Sequence, residues 1–345
     1  MKVLHCLDTL AVGGAERVCV DACNLLSETN DYSVSLLLVR HGGSLKKDLN
    51  PKITTKELKF YRKTSIRGWL SLIKALYGFD IIHVHMRHTY GRVKLAAMLA
   101  GIKTPIVFHD HFGDIEHDKT VPAYLDKLFT PKYYIGVSKD LTDWAIDRLQ
   151  MPQENTWTLA NTIARNLPMN NTKKKRSKDL VMVSNLRKTK NIEFAIKLAK
   201  ASGFSLDIYG QVIDLDYHQS LKVLTQNYPI KFITDVSDVF PYLTHYKLAI
   251  HTAKSETGPL VVMEYLKSGT TFLAFNTGEV IRQVKEEFPK LIVNNFQESN
   301  WLNAINIFIQ YPIPDARLKA VFDERFGPEA YLENLNKIYH WVEAN

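Results

Sequence analysis

The chain has 345 residues, 46% of them hydrophobic and 23% charged, with a formal net charge of +8. That length suits two domains of ordinary size, and that balance excludes a disordered or low-complexity chain. Three cysteines exclude a disulfide framework, and no apolar run is long enough to cross a bilayer. The N-terminal MKVLHCLDTL is broken by Asp8 and reads as no signal peptide, so a cytoplasmic protein is expected. The positive charge suits nucleic acid, anionic lipid or phosphorylated small molecules. Zinc-finger spacing, RNP-type aromatics and a basic zipper are all missing from the sequence, which sets nucleic acid aside.

Short β-rich runs alternate with helical patterns, which predicts parallel sheets built from βαβ units. KVLHCLDTL reads as the first strand, ERVCVDACNLLSE as a helix and YSVSLLLV as the next strand. The intervening turn, TLAVGGAER, puts Gly13 and Gly14 before a helix that starts near Ala15. Glycines there admit a ligand close to the backbone, and free amides at a helix start attract anions. A loop that merely needs positive φ is the alternative, and the three-glycine dinucleotide fingerprint is absent. Cys19 and Cys23 lie one helical turn apart, as two ligands of one metal would. With no second ligand pair near them in sequence, they read as small buried apolar groups.

Next come helix 66–77, strand 80–86, helix 91–100, strand 105–109 and strand 133–137. His83 and His85 alternate along a strand and face one side, as do His109 and His111 at the end of the next. With Asp110 they form a conceivable zinc set, yet they lack the helical i, i+4 spacing of metallohydrolases. No metal is expected. Hydrogen-bonded core histidines, or one that contacts a substrate hydroxyl at the strand end, are the preferred readings. Ser138 is the N-cap candidate for SKDLTDWAIDRL. The stretch KFYRKTSIRGWL (59–70) suits anionic lipid or is an ordinary loop and helix start.

Residues 168–179 are polar and basic, without apolar period, and read as a linker; the run Lys173, Lys174, Lys175, Arg176 with Lys178 reads as a solvated cluster. The alternation then restarts: strand 180–184, helix 191–202, strand 205–209, a longer helical stretch, strands 230–233 and 247–251, helix 259–268 and strand 271–275. The tail from Glu329 to Val342 is a helix with Tyr331, Leu332, Leu335, Ile338 and Tyr339 on one face. The expected organisation is therefore an α/β domain over 1–167, a linker over 168–179, a second α/β domain over 180–325, and a C-terminal helix over 326–345 packed back on the first domain. Ligands of such sheets bind at the carboxyl ends of the strands.

Two stretches of the second half carry chemistry. In VSNLRKTKN, Arg187, Lys188 and Lys190 sit in the loop after a strand, where cations suit a diphosphate; a solvated basic loop is the alternative. In SETGPLVVMEYLKSG, Pro259 suits the first helical position and Gly269 the position past the last. The amides of Leu260 and Val261 are then free for a phosphate. Glu256 hangs at the helix entrance and Glu264 lies inside a helix whose apolar residues cover nearly every side, which predicts burial. A buried carboxylate needs a protein cation or a ligand rich in hydroxyls.

In order, VGGAER, DIIHVH, FHDHF, GVSKDL, SNLRKTKN and SETGPLVVMEYLKSG resemble a GT-B glycosyltransferase, most closely glycosyltransferase family 4. The resemblance spans both halves; residues 40–75, 114–132 and 211–245 add little to it. It implies two Rossmann-like, doubly wound domains that face a cleft, retaining transfer of a sugar, no cofactor beyond a nucleotide-diphosphate sugar as co-substrate, and a glycan or polyprenyl-linked acceptor in surface polysaccharide synthesis, with peripheral attachment to the inner face of the plasma membrane. By residue, Glu264 resembles the carboxylate on the ribose hydroxyls, Glu256 the one near the transferred sugar, and Lys190 the lysine on the diphosphate. Gly258, Pro259 and Leu260 lie where amides meet the sugar or phosphates, and Gly14, beside Gly13, resembles the glycine that closes over them. His111 resembles the histidine on the donor sugar, with His109 as the competing assignment. The chain departs from the family at Ser184-Asn185, where Gly-Arg is common, and Arg187 is the candidate substitute for that arginine. Thr257 stands where glycine is frequent. A nucleotide-sugar epimerase and a non-catalytic sugar-nucleotide-binding protein are the rival readings.

Overall fold

The computed structural model describes residues 1–62, 64–164, 176–236 and 238–345, with the backbone alone at 126 and 127. Two compact units form, one from residues 1–164 with 327–345 and one from residues 165–326.

The first unit holds a seven-stranded sheet of β1 (Lys2–Leu7), β2 (Ser33–Leu38), β3 (Thr54–Glu57), β4 (Ile81–His85), β5 (Ile106–Asp110), β6 (Tyr133–Gly136) and β7 (Thr156–Thr158), in the order β3-β2-β1-β4-β5-β6-β7. Every pairing is parallel. Helices cover both faces, so β4, β5 and β6 are buried throughout. Alternation divides β1 between two cores: Leu4 and Cys6 join one, Val3 and Leu7 the other. The second core also takes Cys19 and Cys23 from helix Gly14–Glu28, and Tyr331, Leu335, Ile338 and Tyr339 from helix Pro328–Ala344. Leu332 is only partly buried against it. The register sets His5 beside His83 and His85 beside His109, all on this second face.

The second unit repeats the plan with six parallel strands: β8 (Lys178–Val183), β9 (Leu206–Tyr209), β10 (Ile230–Ile233), β11 (Tyr246–His251), β12 (Phe272–Phe275) and β13 (Ile292–Val293), in the order β10-β9-β8-β11-β12-β13. In both sheets the chain starts in the middle, builds one edge and returns to build the other. The reversal falls between β1 and β4 in one and between β8 and β11 in the other.

Several expectations need correction. Residues 168–175 of the expected linker lie outside the described residues, but β8 starts at Lys178, two residues early: its amide donates to the His245 carbonyl (3.1 Å) and its Nζ to Asp207 (2.7 Å). Arg176 is not a solvated charge: it donates to the carbonyls of Tyr246 (3.2 Å) and Gly269 (2.6 Å) and pairs with Asp315 (2.7 Å). The long helical stretch after β9 contracts to Leu215–Leu224, capped by the Asp214 carboxylate, which accepts from the Tyr217 amide. Helices Glu279–Glu287, Glu298–Gln310 and Asp315–Phe326 lie between the last predicted strand and the predicted C-terminal helix, where no element was assigned. Among the described residues, no helix is long and apolar enough to cross a membrane.

Candidate functional site

In the second unit the loops after β8 and β11 meet at the point where strand order reverses. Lys190 closes a single helical turn, Lys188–Lys190, and Asn191 follows in the left-handed region with φ 53°. Asparagine tolerates that conformation better than most residues. Thr252 locks it by sharing its hydroxyl proton between the carbonyls of Lys190 (3.1 Å) and Asn191 (3.0 Å). The Lys254 amide adds a bond to the Thr189 carbonyl (3.0 Å). The Lys190 ammonium then forms an ion pair with Glu256, and His251 Nε2 stands 3.4 Å from the same carboxylate oxygen.

Glu256 is fixed from behind. Its amide donates to Thr277 Oγ1 (3.1 Å), and Gly278, at φ 84°, passes so close that a Cβ there would sit 2.9 Å from the Glu256 carbonyl oxygen. Only glycine fits that approach. Burial alone would push the Glu256 carboxyl up; the Lys190 ammonium, then the His251 imidazole, reverse this and hold it at about 2. The group is therefore ionised at neutral pH.

Helix Leu260–Ser268 follows at once. Pro259 is its N-cap, with ψ 107°, rather than its first helical residue. The C-terminal end is as expected: Gly269 takes the left-handed conformation, φ 73°. Burial is less complete than the apolar run suggests. Val262, Met263, Tyr265 and Leu266 are buried, whereas Leu260, Val261 and Glu264 are half-buried. Glu264 lies one turn after Leu260 on the same face, at the end of the helix that carries free amides. Tyr265 ties the helix to the sheet by accepting from the Val183 amide (3.1 Å). Arg187 is exposed at the start of the β8 loop, and Asn185 spends its side-chain carbonyl on the Gln211 amide (3.4 Å).

In the first unit, Gly13 is the N-cap of helix Gly14–Glu28 with φ −164°. Neither Gly13 nor Gly14 has positive φ, so the reading of a loop that needs it falls. Gly13 gives room to Glu16, whose carboxylate oxygen would lie 2.1 Å from a Cβ there. Gly14 is exposed, and a Cβ on it would meet nothing within 4 Å.

The histidines form one chain. His109 Nδ1 meets His83 Nε2 (3.0 Å), His83 Nδ1 meets the Tyr339 hydroxyl (2.7 Å), and that hydroxyl meets His5 Nε2 (3.3 Å). His5 Nδ1 meets His85 Nε2 (3.0 Å), and His85 Nδ1 meets His111 Nε2 (3.0 Å). Burial pushes His83, His85 and His109 well below the ordinary imidazole value and His111 to about 3, so these four are neutral. Counted with one proton on each ring and one on the Tyr339 hydroxyl, six groups bring six protons to five links. The sixth proton sits at one end, on His109 Nε2 or on His111 Nδ1. His109 Nε2 is buried without a partner. A buried orphan N–H is rarer and costlier than a bare lone pair. On that count the chain runs toward half-buried His111 and puts its proton on Nδ1. Asp110 stays out of this network: it accepts from Arg87 (2.9 Å), Tyr134 (2.9 Å) and the Phe112 amide (3.1 Å), which removes it as a metal ligand.

Two family profiles match the chain, described as Glycosyltransferase Family 4 over residues 12–165 and Glycosyl transferases group 1 over residues 165–322. The chain belongs to the GT-B glycosyltransferases of the family 4 type. It is a transferase enzyme. No curated protein matches it by sequence. Its fold is similar to that of HepE from Anabaena, solved in complex with UDP-glucose (TM-score 0.80, 18% identity, 98% of each chain). It is also similar to a glycosyltransferase from Rickettsia africae (TM-score 0.78, 14% identity, 100% of this chain and 99% of that one) and to sucrose-phosphate synthase from Thermosynechococcus elongatus (TM-score 0.75, 14% identity, 99% of each). At these identities the likeness is one of fold.

In this glycosyltransferase the second unit brings Lys190, Glu256, Gly258, Pro259, Leu260 and Glu264 to one sheet end, with Arg187 at the rim. Gly13, Gly14 and His111 belong to the first unit. Sequence reading missed His251, Thr252 and Thr277 around Glu256. His251 ends a strand five residues before Glu256, which was the available signal. It also missed His5 and Tyr339 in the histidine chain; the side chain of His5 shares the β1 face of Val3 and Leu7, and that alternation was legible.

Proposed function

We propose that this glycosyltransferase moves a sugar from a nucleotide-diphosphate sugar to a glycan or polyprenyl-linked acceptor, with retention at the anomeric carbon, in surface polysaccharide synthesis on the cytoplasmic side of a membrane. The observation that carries this is the Lys190–Glu256 ion pair at the entrance of a helix whose half-buried face bears Glu264. HepE, of the same fold, was solved with UDP-glucose. Glu264 accepts from the ribose hydroxyls. Lys190 turns to the diphosphate, joined by Arg187 and by the amides of Gly258 and Leu260. In the first unit, Gly14 leaves open space at a helix start, which suits a phosphate close to the backbone.

The anomeric C–O bond to the diphosphate breaks as charge grows on the leaving oxygen, where fixed cations and amides act most strongly. The acceptor hydroxyl attacks from the face that the diphosphate leaves, and the leaving oxygen takes its proton. Glu256, ionised and held by Lys190 and His251, lowers the cost of positive charge at the anomeric carbon. His111 offers its Nδ1 proton to a sugar hydroxyl. The route draws on no metal. The exposed Tyr61, Ile66 and Leu70 with Arg62 and Arg67 suit attachment to anionic lipid.

The test is a panel of nucleotide sugars screened for thermal stabilisation, followed by product analysis with lipid-extract acceptors; a bound donor raises the unfolding midpoint by mass action. One donor that stabilises and is consumed only with acceptor supports the reading. A donor converted without acceptor points to an epimerase, and binding with no turnover on any acceptor points to a sensor.

A further inference from the structure

Two thiols and one phenol of the first unit take no part in the proposed reaction. Cys19 and Cys23 are 0% exposed on the inner face of helix Gly14–Glu28, and His5 is equally buried on β1. One ligand atom from each of the three lies within 4.8 Å of the other two. The second ligand pair missing from the local sequence thus begins with a strand residue. Helix Pro328–Ala344 brings Tyr331 into the same core as both cysteines. Tyr331 is 4% exposed, and its hydroxyl is buried without a hydrogen-bond partner. A buried hydroxyl without a partner is costly and calls for an explanation.

We propose that Cys19, Cys23 and His5, with Tyr331 as fourth donor, form a structural zinc site that fastens the C-terminal helix to the first sheet. Two sulfurs, a nitrogen and an oxygen suit a borderline, tetrahedral divalent ion. Charge selects this corner of the histidine tract. Two thiolates cancel the ion's charge, so the pair of sulfurs avoids burying a net charge. The alternative triads, His5 with His83 and His85, or His85 with His109 and His111, hold imidazoles alone and leave the charge of the ion uncompensated. On loading, zinc displaces two thiol protons to solvent and forms two Zn–S bonds, with no change of oxidation state.

The hydrogen bonding around His5 fits this assignment. Its Nδ1 is engaged by His85 at 3.0 Å, which leaves Nε2 for the ion. The link given up, to Tyr339, is the longest of the chain at 3.3 Å. A ligating imidazole commonly donates its other N–H outward. That is the orientation the proton count assigns to His5, so loading leaves the outward proton of His111 in place. The ion would join β1, the first helix and the last helix, which are far apart in sequence, and a clip that closes so long a loop stabilises most.

The test uses the full chain stripped of metal and titrated with cobalt. We expect one equivalent bound, a thiolate-to-cobalt charge-transfer band in the near ultraviolet, tetrahedral visible bands, and displacement by zinc with a rise in the unfolding midpoint. Cys23→Ser should abolish the charge-transfer band, and Tyr331→Phe should keep it while weakening affinity at least tenfold. Because cysteine variants of a core can fail to fold, cadmium NMR on the unaltered chain counts the sulfurs directly, and two are expected. Absence of stoichiometric binding, a cobalt spectrum without thiolate charge transfer, or a cadmium resonance in the nitrogen-and-oxygen range would each overturn the site.

Discussion

His109 and His111 close a loop: their ring centroids lie 4.2 Å apart, yet the hydrogen bonds that connect them run the long way, through His83, Tyr339, His5 and His85. Tyr339 is the turning point. Tyr339→Phe keeps the ring and removes the hydroxyl, so His83 Nδ1 and His5 Nε2 both lose a partner. We expect a loss of about 1–3 kcal/mol in denaturant unfolding, the usual cost of an orphaned buried polar group. Nitrogen NMR of the imidazoles should show His111 in the single Nδ1–H tautomer in the wild type and in two tautomers in the variant. A single unchanged tautomer in the variant would show that the chain does not orient His111.

Acid should destabilise the protein in two stages. His83, His85 and His109 are held well below their ordinary value of 6.5, so the unfolded chain takes up their protons first and stability falls as pH drops below about 6.5. Glu256 is held at about 2 against an ordinary 4.5, so its contribution is full above about 4.5 and lost as pH falls toward 2. Asp8, also held at about 2, shares the second stage, so Glu256→Gln should shrink that stage and leave the first. Urea midpoints measured across pH 2 to 7 check the sign of both.

Lys190→Ala leaves Glu256 partly buried beside His251 alone. Removing one partner of a buried pair typically costs roughly 3–5 kcal/mol. The double variant with Glu256→Gln should recover most of that stability and none of the activity. Turnover of the single variant should fall on the order of 100–1,000-fold, the effect of losing one preorganised donor to a leaving group, while acceptor affinity stays within about twofold. Steady-state kinetics and denaturant curves on the three proteins separate the two roles.

Gly14 has no fold-based reason to be glycine: its φ is not positive and a Cβ meets nothing within 4 Å. Gly14→Val should therefore fold with near-normal stability and bind donor at least tenfold more weakly. An unfolding midpoint that drops sharply, or donor affinity that does not change, contradicts a phosphate role for this turn.

Much of this was written in the sequence where a local rule has one physical cause. The βαβ alternation gave both parallel sheets, and Gly269 and Ser138 marked a helix end and a helix start where the structure puts them. Of the predicted stripe of Tyr331, Leu332, Leu335, Ile338 and Tyr339, all but the partly buried Leu332 lie on the buried face of the last helix. What sequence left hidden depends on register and long-range return of the chain. Nothing local places Tyr339 against His5 and His83, 334 and 256 residues away. Arg176 looked solvated because its acceptors lie 70 and 93 residues downstream. Half-burial of Glu264 was missed because an apolar count cannot tell which turn of a helix lies at the open end of a sheet.

The central claim is that the acidic pair and the helix start of the second unit hold an activated sugar. Calorimetric titration of nucleotide-diphosphate sugars into the wild type, Glu264→Gln and Lys190→Ala tests it most directly. We predict one donor that binds the wild type with a single site, at least tenfold weaker binding in each variant, and a greater loss for Glu264→Gln when the free nucleoside is the ligand. No binding of any nucleotide sugar to the wild type, or affinity that survives both substitutions, would contradict the account.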